Sequence, residues 1–175
     1  MELGLITQQQ AAATPDDCPI ALVIASDIST PVDDDYVEFD AEHYWNGHDS
    51  SVDEWLDRHL GPASRLLATY HVPVRWRLIA SIADQSELVI AINDEPLLLA
   101  SRDEDEQGWR AAVRLYRHLD ALLQQQSDRR LYLATGNDRM GWVFCWTDAV
   151  NAAVRRADPD GAPEPVSTVP IDPAG

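Results

Sequence analysis

Carboxylates are the only side chains of this chain concentrated enough to suggest a specific chemistry. The first 57 residues hold fourteen Asp and Glu and no arginine or lysine, whereas residues 58–175 hold sixteen acids and all thirteen arginines. The formal charge is −17, of which −14 falls in the first segment. Such a separation of charge indicates a surface that would attract a cationic partner.

Three of these acids are predicted to form a row along one strand. Residues 36–45 alternate between apolar and polar side chains, which is typical of a strand with one buried face. The apolar face would carry Val37, Phe39, Ala41, His43 and Trp45. The opposite face would carry Tyr36, Glu38, Asp40, Glu42 and Tyr44. Alternate residues are about 6.6–6.8 Å apart, which is of the same order as the ~3.4 Å between phosphates along one strand of a duplex.

We expect this row to belong to a larger acidic surface that binds a partner. Its predicted residues are Asp33, Asp34, Asp35, Glu38, Asp40, Glu42, Trp45, Asp49, Asp53, Glu54 and Asp57. Trp45 would serve as an aromatic anchor, because aromatic residues dominate binding energy at interfaces. The sequence therefore predicts a non-enzymatic protein that occludes the basic, nucleic-acid-binding site of a protein or nucleoprotein complex. It would act as an inhibitor, a nucleic-acid mimic or an immunity protein.

The same acids have two less specific interpretations. Charged residues on an exposed strand prevent sheets from aggregating, and acids in a first helical turn favour the helix dipole. The acidic segment would then be only a solubilising surface. In that case the protein would be a structural or adaptor subunit, or a small acidic chaperone, with hydrophobic contacts through Trp45 or a sheet edge.

A metal-dependent hydrolase is a further alternative. His43, His48, Asp49 and Asp53 lie close together in the sequence, with His59 nearby. Histidine and carboxylate ligands can bind a divalent ion that activates water. Their spacing matches no established motif, and His43 falls on the apolar face of the predicted strand. We therefore expect no metal and no cofactor.

Several classes of protein are disfavoured by composition. The absence of lysine excludes a phosphate-loop lysine and a Schiff-base lysine. The negative charge argues against direct binding to nucleic acid or to anionic membranes. The chain has neither a secretory signal nor a stretch long enough to span a bilayer, so a cytoplasmic protein is expected. The chain has two cysteines, Cys18 and Cys145, and we expect both to be reduced thiols.

Three regions are predicted along the chain. Residues 1–17 read as a flexible arm, residues 18–157 as a single domain, and the proline-rich residues 158–175 as a disordered tail. Within the domain, strands are predicted at 19–28, 36–45, 74–82, 87–93, 96–101, 131–135 and 141–147. Most are joined by short turns, which indicates hairpins and a meander. The fold class is therefore α+β, with an antiparallel sheet packed by two to four helices.

The predicted helices include a long amphipathic one over residues 103–126. Its apolar stripe would carry Trp109, Val113, Tyr116, Leu119 and Leu123. Ser51 and Glu54 fit a capping box for an earlier helix that would stop at Gly61-Pro62, with a second short helix continuing to Tyr70. Thr147 or Asp148 would cap a last helix that ends at Ala157.

A cationic stripe is predicted on the long helix. Arg110, Arg114 and Arg117 lie at helical spacing, and Glu106 is placed to pair with Arg110. The stripe could meet the N-terminal acids within one chain or across a homodimer. A solvated helix face is the favoured interpretation.

Overall fold

The computed structural model describes residues 36–41, 52–81, 86–136 and 140–172. The elements within these ranges are β1 Tyr36–Asp40, α1 Val52–Thr69, β2 Trp76–Ala80, β3 Glu87–Ile92, β4 Glu95–Ser101, α2 Gln107–Gln124, β5 Arg129–Thr135, β6 Met140–Thr147, α3 Asp148–Ala157 and β7 Glu164–Pro165. They form an α+β domain with antiparallel sheets, which confirms the predicted fold class. The predicted arm at 1–17 and the strand at 19–28 lie outside the described residues.

The strands form two sheets where the sequence indicated one. The larger sheet has the order β1-β6-β5-β7, and the smaller one is the predicted meander β2-β3-β4. Strand β1 pairs with β6, more than a hundred residues further along the chain, with Val37 opposite Val143. The predicted hairpin β5–β6 is present, with Leu131 opposite Cys145, a buried thiol.

Two hydrophobic cores lie on opposite faces of the larger sheet. The main core joins residues of α1, α2 and both sheets, and it includes the whole predicted stripe of α2. Along β5, Leu131 and Leu133 enter this main core, whereas Tyr132 points into a smaller core with Phe144 and Trp146. Helix α3 covers the smaller core. Thr147 is the N-cap of this helix, and its side chain accepts a 3.4 Å hydrogen bond from the amide of Val150. In the residues that the structure describes, no helix combines the length and apolar character needed to cross a membrane.

Helix α1 does not stop at Gly61-Pro62, so the prediction of two helices was wrong. The helix continues through Pro62 to Thr69. Its buried stripe extends on both sides of the proline and comprises Trp55, Leu56, His59, Leu60, Ala63, Leu66 and Leu67. Burying a single leucine-sized side chain contributes about 1.5–3 kcal/mol, so this stripe outweighs the ~3 kcal/mol that an interior proline costs. The predicted N-cap, Ser51, lies outside the described residues.

The C-terminal residues are packed onto the domain, which corrects the prediction of a tail that is disordered from residue 158. We call residues 164–172 the C-terminal strap. Its first two residues form β7 against β5, and the amide of Val166 donates to the carbonyl of Leu131 at 3.0 Å. Val166 and Val169 are buried. Prolines are compatible with this arrangement because an edge strand needs few backbone donors.

The arginines of α2 bind the chain itself and do not form a solvated face. Arg114 forms a two-pronged ion pair with Glu104, with N···O distances of 2.8 and 2.6 Å, and also donates to the carbonyl of Leu99. This ion pair holds the pKa of Glu104 at about 2. Arg117 donates to carbonyls of the C-terminal strap, and Arg110 pairs with Asp172 of that strap. The stripe is therefore structural. Most of the N-terminal acids lie outside the described residues, so the possible contact of the stripe with them stays a prediction.

Candidate functional site

An open cavity of about 430 Å³ lies where β1 meets α1. Four of the predicted partner-binding residues line it together, although they come from two separate elements. The lining residues are Glu38, Asp40, Glu54, Asp57, Arg58, His59, Gly61, Pro62 and Arg65. We call this the acidic cavity. It is the place where the structure brings the predicted acids together.

Local packing fixes the directions of the exposed carboxylates. On β1, Val37 and Phe39 are buried, so Glu38 between them points outward and is exposed. On α1, Trp55 and Leu56 face the core, which leaves Glu54 and Asp57 exposed on the other side. Glu54 and Asp57 are three residues apart and therefore neighbours on the helix surface.

A buried histidine connects the cavity to the core. The imidazole of His59 is 2% exposed, and its Nε2 lies 3.0 Å from the carbonyl oxygen of Asp40. A carbonyl only accepts hydrogen bonds, so Nε2 carries the proton and Nδ1 accepts from the hydroxyl of Tyr116, at 3.1 Å. Burial lowers the pKa of His59 to about 4 and raises the pKa of the Tyr116 hydroxyl. At neutral pH both groups are therefore uncharged, and His59 fixes β1 against α1 and α2.

The predicted row of exposed acids is only partly formed. Glu38 is exposed as predicted, but Asp40 is 8% exposed and is a buried residue. Asp40 is the last residue of β1, its carbonyl is held by His59, and the residue lines the cavity instead of extending an outer row. Glu42, the third member, lies outside the described residues.

Two arginines at the cavity were missed by the sequence analysis. Arg58 and Arg65 line it beside the acids. Glu54 and Arg58 approach to 3.9 Å with both side chains half exposed, a geometry that contributes little to stability. Both arginines lie beyond the acidic segment, which ends at residue 57. The turns of α1 nevertheless place them on the side of the helix that carries Glu54 and Asp57. The four-residue spacing from Glu54 to Arg58 is the signal that would have identified the first of them.

The remaining predicted residues divide into two groups. Asp53 is exposed in the first turn of α1. Outside the described part of the chain lie Asp33, Asp34, Asp35, Glu42, Trp45 and Asp49. Their membership of the acidic surface, and any contact through Trp45, stays a prediction.

The metal-site alternative has no support among the residues that the structure describes. No three of their His, Cys, Asp and Glu side chains are grouped so that they could hold an ion. His59 uses both ring nitrogens for hydrogen bonds within the protein. His43, His48 and Asp49 lie outside these residues.

Together, these features define an α+β domain with an acid-lined cavity beside the N-terminal part of its larger sheet. No family model matches the chain, and no curated protein or solved structure matches it either. Because a fold alone does not determine function, the function has to be argued from the charges and geometry of the site.

Proposed function

We propose that the protein is a non-enzymatic binding protein whose acidic cavity and surrounding acids occupy a basic site on a partner macromolecule. The observation that carries this proposal is the gathering of Glu38, Asp40, Glu54 and Asp57 around one cavity. These residues come from a strand and a helix that His59 holds together. By occluding a phosphate-binding site, the protein would act as an inhibitor, a nucleic-acid mimic or an immunity protein.

The charges suggest how such binding would work. Four carboxylates and two guanidinium groups give the cavity lining a net charge of −2, so a cation from the partner would improve its balance. Arg58 and Arg65 reduce repulsion among the carboxylates before the partner arrives. Electrostatic complementarity of this kind chiefly accelerates association and selects the partner. We therefore expect binding that is fast and that weakens as salt is added.

Affinity capture at two salt concentrations tests the proposal. The purified chain is used to capture partners at about 50 mM and at about 500 mM salt, where screening differs strongly. Bound proteins are identified by mass spectrometry, and the affinity of each is then measured. We expect a basic partner that is retained at low salt and released at high salt.

Matched charge reversals locate the binding surface. The test variant combines Glu38→Arg, Glu54→Arg and Asp57→Arg, which reverses three exposed acids at the cavity. The control combines Asp103→Arg, Asp128→Arg and Asp160→Arg, which makes the same change of charge at exposed positions elsewhere. The test variant should lose the partner, and the control should keep most of its affinity. Equal binding by the two variants would show that only the net charge matters and would refute the proposal.

A further inference from the structure

The outer face of the smaller sheet carries an apolar row where polar residues are expected. Ile79 on β2 and Leu98 on β4 are 44% and 40% exposed, and they flank the half-buried Val89 on β3. Val89 pairs with Leu98, and Ile79 lies at the irregularity where β2 pairs with the same part of β3. The three residues thus cross the whole sheet. A face of an antiparallel sheet that meets only water is usually polar, so this row indicates a contact surface.

Opposite charges lie at equal distances on either side of this row. Arg77 is exposed and pairs with Ala91, which is two residues after Val89 on β3. Glu87 is exposed two residues before Val89. Each charge is therefore about 6.8 Å from the level of Val89 along the strands. Within the described ranges, neither Arg77 nor Glu87 takes part in an ion pair.

This pattern is complementary to itself. A two-fold rotation about an axis along the apolar row reverses the strand direction and places two copies of the sheet face to face. The level of Arg77 in one copy then meets the level of Glu87 in the other, and the apolar rows meet each other. In a two-fold interface each such contact occurs twice. We propose that the protein forms a homodimer through the outer face of β2, β3 and β4.

The size of the surface indicates a weak dimer. Three strands about 4.8 Å apart and about five residues long cover roughly 14 by 17 Å. Standard interfaces bury about 800 Å² on each partner, which is more than this face provides unless neighbouring side chains contribute. We therefore expect a weak dimer whose population rises with protein concentration. This interface is separate from the acidic cavity, so neither proposal depends on the other.

The dimer is tested by sedimentation equilibrium on variants in which the charges of Arg77 and Glu87 are reversed singly and then swapped. The full chain is measured from about 5 to about 300 µM in about 150 mM salt, where the Debye length of ~8 Å screens the net charge of each copy. Arg77→Glu and Glu87→Arg should each weaken dimerisation at least about tenfold, because each creates two contacts between like charges. The double variant restores opposite charges and should return to within about threefold of the wild type.

Further variants separate this interface from effects on folding or on net charge. Ile79→Asp places a charge in the apolar row and should abolish the dimer. Arg156→Glu, at an exposed position of α3, makes the same charge change as Arg77→Glu and should leave dimerisation unchanged. Circular dichroism and urea unfolding verify that each variant folds. A wild type that remains monomeric at the highest concentration, or a double variant as weak as the single ones, would overturn the proposal.

Discussion

His59 should make the stability of the protein depend on pH in a predictable direction. Its pKa is lowered from 6.5 to about 4, chiefly because burial disfavours the charged imidazole. Between these two values the unfolded chain binds a proton that the folded chain does not. The contribution of His59 to stability is therefore complete above about pH 6.5 and decreases as the pH falls towards about 4.

The size of the effect follows from the two pKa values. At about pH 5, protonation of this imidazole stabilises the unfolded chain by about 2 kcal/mol more than the folded chain. At about pH 7.5 the difference is close to zero. The acids of the chain also titrate in this range, so the wild type alone does not isolate the contribution of His59.

His59→Gln supplies the comparison. A glutamine amide can still donate to the carbonyl of Asp40, but it does not titrate. It loses the bond from Tyr116 and should reduce stability by about 1–3 kcal/mol at neutral pH. In urea unfolding, the wild type should lose about 2 kcal/mol more than His59→Gln between pH ~7.5 and ~5. If the free energy of unfolding falls equally in the two proteins, burial does not lower the pKa of His59 as the structure indicates.

Two further predictions concern packing. Gly141→Ala should destabilise the protein by about 3 kcal/mol or more, because the added Cβ would clash with the backbone carbonyl of Ala134. Gly61→Ala is its control: in α1 the added Cβ would make an ordinary contact of 3.9 Å with the flexible side chain of Arg65, so this variant should unfold at an equal or higher urea concentration. Arg117→Ala removes two hydrogen bonds to the C-terminal strap and should cost about 1–3 kcal/mol while making the strap more sensitive to limited proteolysis. Arg155→Ala, on the exposed side of α3, should do neither.

Local patterns in the sequence predicted the elements well and their partners poorly. Helical spacing predicted the apolar stripe of α2 from Trp109 to Leu123, and all of its residues do enter the main core. Nothing local indicates that β1 pairs with β6, since that contact joins distant parts of the chain. The two sheets were predicted as one for the same reason. Strand pairing depends on tertiary packing, and the alternation of side chains along one segment carries no information about which other segment it will pair with.

The C-terminal strap shows the same limit in another form. Its prolines predict an absence of regular structure and hence disorder, yet the strap packs on the domain and begins with the short strand β7. The strap is held by side chains of α2, because Trp109 donates from Nε1 to the carbonyl of Pro170 at 3.1 Å and Arg117 binds two more carbonyls. The sequence predicts Trp109 on the apolar stripe of the helix and Arg117 on a solvated face of it. Their acceptors are backbone groups, which carry no sequence signature.

The site could be predicted in its charge but not in its shape. The sequence identified Glu38, Glu54 and Asp57 as acids of one surface, and they do line one cavity. It placed Asp40 on an exposed face, because alternation does not anticipate that α1 packs beside the end of β1 and that His59 binds there. The role of His59 was also hidden, since its partners are a carbonyl on β1 and the hydroxyl of Tyr116 on α2.

Several arginines have structural roles within the fold. Arg114, Arg117 and Arg129 each donate to backbone carbonyls, where a planar guanidinium serves better than an ammonium group. Guanidinium groups used in this way tie α2 to β4 and to the C-terminal strap, and β5 to β6. They therefore stabilise the fold in addition to carrying charge. Among the described residues that line the acidic cavity, Arg58 and Arg65 offset four acids. Most of these cations therefore have a structural role, and under the proposed function the acidic cavity would be the part of the molecule that a basic partner recognises.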